Sequence, residues 1–184
     1  MKIVSHKTID QTITQMDDMN EADVSQLVKL FVDEQPGIMA MVMSLEEDFT
    51  DDEFDSLVDL TLLIFMCFKN ECGKIRTLTI EEVEALDDKQ MAHLEYLETL
   101  SEVDLEIEMA NVIQNSKQPF LLEYITEELA IREEEGEFGE DSSAAYFYPP
   151  LQLVIDLMDH AANAGLMKVV WVALHRGQQF AKNA

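Results

Sequence analysis

The sequence is poor in basic residues. Twelve Lys and Arg face 38 Asp and Glu among 184 residues, a formal net charge of −26. A field of that sign repels nucleic acid and anionic membrane and attracts cations and basic protein surfaces, so direct nucleic-acid and membrane binding are excluded. Cysteine is scarce as well. Cys67 and Cys72 are the two present, and five residues along a helix turn through about 140°, which does not let one helix bridge them. With no CxxC, no second Cys pair and no His-rich tract, neither a disulfide framework nor a zinc site is expected. Two free thiols and the lack of an apolar signal core in Met1–Met16 lead us to expect the cytoplasm. The longest strongly apolar run, Leu60–Phe68, is far short of the roughly 20 residues that span a bilayer. Six glycines and four prolines are too few for the many turns of an all-β chain.

What is present reads as helix. Apolar residues make up 47% of the chain, enough to build a core without disulfides or metal, so the chain is not an acidic disordered tail. Ile9, Ile13 and Met16 suggest a short first helix, with an extended segment as its rival. Asn20 caps a second, with Val24, Leu27, Val28 and Phe31 on one face. Pro36 opens a third, Met-rich one over Ile38–Leu45. Thr50 and Glu53 form a capping box for a helix over Asp51–Glu71. Leu60, Leu62, Leu63, Ile64, Phe65, Met66 and Phe68 leave that helix almost no polar side, so it is expected at the centre of the fold. Thr79 and Glu82 cap another, continued by Leu86, Met91, Leu94, Leu97 and Leu100, with a break allowed at Asp87–Asp88. Residues 102–109 alternate strictly, as a strand would, but their Glu content and helical neighbours favour helix. Pro119 opens a helix to about Glu135; 136–148 reads as a loop. Pro149–Pro150 starts a helix to Asn163, and Gly165 divides it from a last segment, 166–182. The expected fold class is all-α: seven or eight helices around the buried helix 51–71, in one domain over 1–184. Residues 148–184 could stand apart as a helical hairpin subdomain.

The charge is uneven. Residues 81–141 hold 20 acids against Lys89, Lys117 and Arg132, net −17, whereas 148–184 is net +1. If 88–106 is one helix, Asp88, Glu95, Glu98, Glu102 and Glu106 share one stripe opposite Leu94, Leu97 and Leu100. That stripe is the candidate partner-binding site for a basic protein surface; the plainer reading is a solvated face. The near-neutral C-terminal helices are the candidate surface for a homo-oligomer.

Chemistry is weakly signalled. The paired glutamates Glu81–Glu82 and Glu127–Glu128 miss the spacing of helical magnesium sites. None of His6, His93, His160 and His175 follows a Glu by three residues, as di-iron bundles require, and no EF-hand loop is present. No serine elbow or phosphate-binding glycine loop occurs. Asp156, Asp159, His160 and Asn163 share a helical face and could run acid–base chemistry, or simply form its polar side. Tyr146–Phe147–Tyr148–Pro149–Pro150 could anchor a partner or staple the loop to the core. The reading is a non-enzymatic acidic interaction protein, an adaptor, inhibitor or nucleic-acid mimic with no cofactor, no catalytic residue and no metal ligand assigned. The alternative is a small metal-dependent hydrolase built on clustered carboxylates.

Overall fold

The computed structural model describes residues 2–139 and 142–180, with side chains up to Asn163 except at 102, 106, 109, 110 and 113. Every regular element among them is helical. They are α1 His6–Asp17, α2 Glu21–Glu34, α3 Pro36–Met43, a 3₁₀ turn Glu46–Asp48 and α4 Asp51–Cys72, followed by α5 Ile80–Glu98, α6 Glu102–Gln114, α7 Pro119–Glu135 and α8 Ala144–Phe180.

Capping chemistry sets most of the boundaries. Asn20, Thr50 and Thr79 each accept a backbone N–H in the first turn, while Asp23, Glu53 and Glu82 reach back to the cap, giving three complete capping boxes. Gly136 ends α7 with φ +76°, a conformation that glycine adopts without a Cβ penalty. In α4, Leu60 through Phe68 are all buried, polar Thr61 included. This helix packs on α1, α2 and α8, and α8 packs in turn on α7 and α5. One hydrophobic cluster joins Val4 and Ile9 to Phe31, Ile38, Phe65, Ile125, Phe147 and Leu157. The all-helical bundle around α4 is therefore as expected.

Three expectations are corrected. The α5 helix does not break at Asp87–Asp88; it stops at Glu98. Ser101 accepts the Asp104 N–H at 3.2 Å and donates to its carboxylate at 2.6 Å, starting a new helix at Glu102. The last helix begins at Ala144, so part of the expected loop is helical and Pro149–Pro150 fall inside α8. It also crosses Gly165, where a division was expected, unbroken to Phe180. One glycine costs a helix about 1 kcal/mol relative to alanine, and the neighbours Ala161, Ala162, Ala164, Leu166 and Met167 are good helix formers.

The N-terminal segment is strapped to the bundle by amides. Gln118 is buried; its Nε2 donates to the Lys2 carbonyl at 3.0 Å and to Asp159 Oδ1 at 2.6 Å, and its Oε1 accepts the Val4 N–H at 2.9 Å. Asn163 Nδ2 adds a second donor to Asp159 at 2.8 Å. No helix among the described residues is long and apolar enough to cross a membrane.

Candidate functional site

Helices α5 and α6, consecutive in the chain and called the arm below, lie shallowly on the bundle, α5 against α8 and α3 and α6 against α7. Of the side chains described on them, Val83 is the one fully buried. Arg76 anchors the start of the arm through a forked ion pair to Glu82, at 2.6 and 2.9 Å. Together with the Thr79 N–H this holds the Glu82 carboxyl down at about 2. Beyond that anchor the arm carries large apolar side chains in water. Met91, Tyr96, Val103 and Ile107 are each at least half exposed (52, 50, 65 and 57%).

The acidic stripe is divided by the break. Asp88, Glu95 and Glu98 are exposed on α5, whereas Glu102 and Glu106 belong to α6. The 100° phase per residue is not carried across Thr99–Ser101, so these five carboxylates do not form one straight line. The side chains of Glu102 and Glu106 lie outside the described residues. The signal for the break was legible: Ser101 followed three residues later by Asp104 has the pattern of a helix start.

A cleft of about 890 Å³ lies along one flank of α5. Its floor is apolar, from Met41, Leu45, Phe49, Leu94, Pro149 and Leu153, and Met91, Pro150 and Tyr146 border it. The charged residues lining it are Glu47, Asp48, Glu53 and Asp87, all acidic. Composition and periodicity did not reveal this cleft, because it is assembled from α3, the 3₁₀ turn, α4, α5, Gly139 and Ser142 between α7 and α8, and α8 itself. Glu53 is the residue that closes the loop end. It is 4% exposed, and its two oxygens accept the N–H groups of Thr50 at 2.9 Å and Gly139 at 3.0 Å. Those bonds, against the opposing effect of burial, hold its carboxyl at about 2. No Lys, Arg or His among the described residues pairs with it.

On the other flank of α5 is a smaller pocket of about 490 Å³, with Lys89 and His93 from α5, Val112 from α6, and Tyr148 and Asp156 from α8. The buried Tyr148 hydroxyl has no hydrogen-bond partner among the described residues. Desolvation raises the Asp156 carboxyl above its ordinary range and the neighbouring Asp159 adds to this, with Lys117 and Lys89 opposing. Gln90 separates the two cavities by donating from Nε2 to the Pro149 carbonyl at 2.7 Å.

The expected Asp/His face of α8 does not converge. Asp159 is buried against Gln118 and Asn163, Asp156 lines the smaller pocket, and His160 is exposed with Nε2 3.8 Å from Glu82. The side chain of His175 is outside the described residues. Among those described, no three His, Cys, Asp or Glu residues come together as metal ligands would. The aromatic cluster divides its roles. Phe147 is buried against Phe138 and Phe49, with ring centroids 4.3 and 4.9 Å away, while Tyr146 is 63% exposed at the cleft. Burial pushes the Cys67 thiol up to about 11, which keeps it protonated and inert. Comparison with known proteins finds no matching family model, no matching curated protein and no matching solved structure.

Proposed function

We propose that this chain is a non-enzymatic interaction protein whose α5–α6 arm captures a basic protein surface, as an adaptor, an inhibitor or a nucleic-acid mimic does. The observation that carries the reading is the coincidence of two kinds of exposed group on one arm. Asp88, Glu95 and Glu98 supply negative charge, and Met91, Tyr96, Val103 and Ile107 supply apolar contact within the same two helices. Charge brings a basic partner in and sets its orientation; apolar and aromatic side chains supply the desolvated contacts that hold it. Glu102 and Glu106 extend the charge by sequence. Val103 and Ile107 lie one helical turn apart on α6 and are both more than half exposed.

The test is capture from native lysate with wild type, with the triple variant Asp88→Asn, Glu95→Gln, Glu98→Gln, and with Val103→Ser, Ile107→Ser. A specific partner should be retained at low salt and released as salt rises. Three exposed ion pairs at about 0.5 kcal/mol each predict roughly tenfold weaker binding for the triple variant. A partner that binds all three proteins equally, or that ignores salt, rules out capture by this arm.

A further inference from the structure

We propose that the larger cleft is a binding site for a small organic cation, an ammonium group carried on an apolar body. Met91 borders this cleft as well as the exposed side of α5, but Asp88, Glu95 and Glu98 are not among the cleft's lining, and the site does not depend on how those carboxylates are used. Three observations point to this chemistry. The first is shape and floor: a cleft of about 890 Å³ is within the range of small-molecule sites, and its floor is Met, Leu, Phe and Pro. Methionine lends such a floor adaptability, since its thioether is polarizable and its chain unbranched.

The second is charge. Glu47, Asp48 and Asp87 stand around the cleft with no basic residue among its lining. Glu53 adds a carboxylate in the wall that is nearly excluded from water and has no cationic partner among the described residues. Its backbone donors keep it ionised far below neutral pH, so the wall stays negative at physiological pH. Low-dielectric walls of one charge sign concentrate counter-ions within a cleft.

The third is aromatic placement. Phe49 and Tyr146 border the same cavity, from the turn before α4 and from the first turns of α8. Phe49 is braced by the buried Phe147 ring at 4.9 Å. Tyr146 is 63% exposed. Ammonium cations are drawn to aromatic faces by the ring quadrupole, the more so where carboxylates surround them. An anionic ligand would meet repulsion from every charged group in the cleft, and a neutral one would use only its floor.

The experiment titrates the full chain, labelled with ¹³C at the methionine methyls, with benzyltrimethylammonium, benzyl alcohol and benzoate. Met41 and Met91 report on the cleft, and Met66 and Met158 on the buried core. Met→Leu variants assign the signals. Benzyltrimethylammonium should shift Met41 and Met91 saturably and leave Met66 and Met158 in place. Benzyl alcohol should bind more weakly, and benzoate not at all. Tyr146→Ala should weaken the cation roughly two- to fivefold, the worth of one exposed cation–π contact. Asp87→Asn should weaken it by a similar factor and flatten the salt dependence. The triple variant on the outer arm should leave cation binding unchanged, which separates this site from the capture surface. Equal response to all three probes, shifts that spread to Met66, no saturable shift, or full affinity in Tyr146→Ala would each overturn the proposal.

Discussion

Replacing Glu53 tests whether a buried carboxylate with no counter-cation among the described residues holds Gly139, just after α7, to the bundle. Its oxygens serve two elements at once. One completes the capping box of α4 through the Thr50 N–H, and the other accepts the Gly139 N–H across 86 positions of sequence. These bonds hold the folded carboxyl at about 2, against 4.5 as the ordinary value. At 1.36 kcal/mol per unit that is on the order of 2–3 kcal/mol. The sign follows from proton binding. Between the two values the unfolded chain binds more protons than the folded one, so stability rises with pH. The contribution is complete above about 4.5 and is lost as pH falls towards 2.

Glu53→Gln keeps one carbonyl acceptor and removes the charge; Glu53→Ala removes both acceptors. Urea unfolding followed by far-ultraviolet circular dichroism should show Gln costing about 1–2 kcal/mol and Ala about 2–3 kcal/mol at pH 7. The wild-type-minus-Gln difference should shrink as pH is lowered from 5 towards 2. Glu82, also held at about 2, titrates equally in both proteins and cancels in that difference. Amide exchange at Gly139 should rise in both variants. A difference that does not change with pH, or Glu53→Ala as stable as wild type, would refute this account of the loop.

Two further expectations concern the body of the fold. Gln118→Ala leaves the buried Val4 N–H without its partner and Asp159 Oδ1 with Asn163 Nδ2 as its remaining donor, so it should cost roughly 1–3 kcal/mol in urea unfolding and expose residues 2–5 to limited proteolysis; a neutral effect would mean that the N-terminal strap is held by Val4 and Ile9 burial alone. In native protein at mildly alkaline pH, Ellman's reagent should modify half-buried Cys72 first and reach Cys67 only at the unfolding rate, because burial pushes that thiol to about 11. Equal rates for the two thiols would contradict the burial of α4.

Much of the helical architecture was legible because its signals are local. Asn20–Asp23, Thr50–Glu53 and Thr79–Glu82 are pairs three residues apart that satisfy each other's backbone groups, so they mark helix starts in any context. The unbroken apolar run Leu60–Phe68 has no polar side to offer solvent and had to lie inside. Signals that compete with a breaker read less well. Pro149, Pro150 and Gly165 each lower helix propensity locally, yet α8 runs through all three, since favourable neighbours and the burial of Phe147, Leu151 and Val154 outweigh those costs. The Ser101–Asp104 start was present in the sequence but hidden by the apolar period running through Leu97 and Leu100.

The candidate sites divide in the same way. Composition and its distribution alone determined that this protein is acidic and that the charge concentrates between Glu81 and Asp141, because charge is a sum over residues and needs no geometry. Helical period put Asp88, Glu95 and Glu98 together. The local Ser101–Asp104 start puts Glu102 and Glu106 on a different helix; only the tertiary structure decided that Asp159 is spent on Gln118 while His160 faces Glu82, and that Glu47, Asp48, Glu53 and Asp87 border one apolar cleft. A cleft is made of residues distant in sequence that no local pattern relates; chain topology brings them together, and burial decides which of their charges remain available.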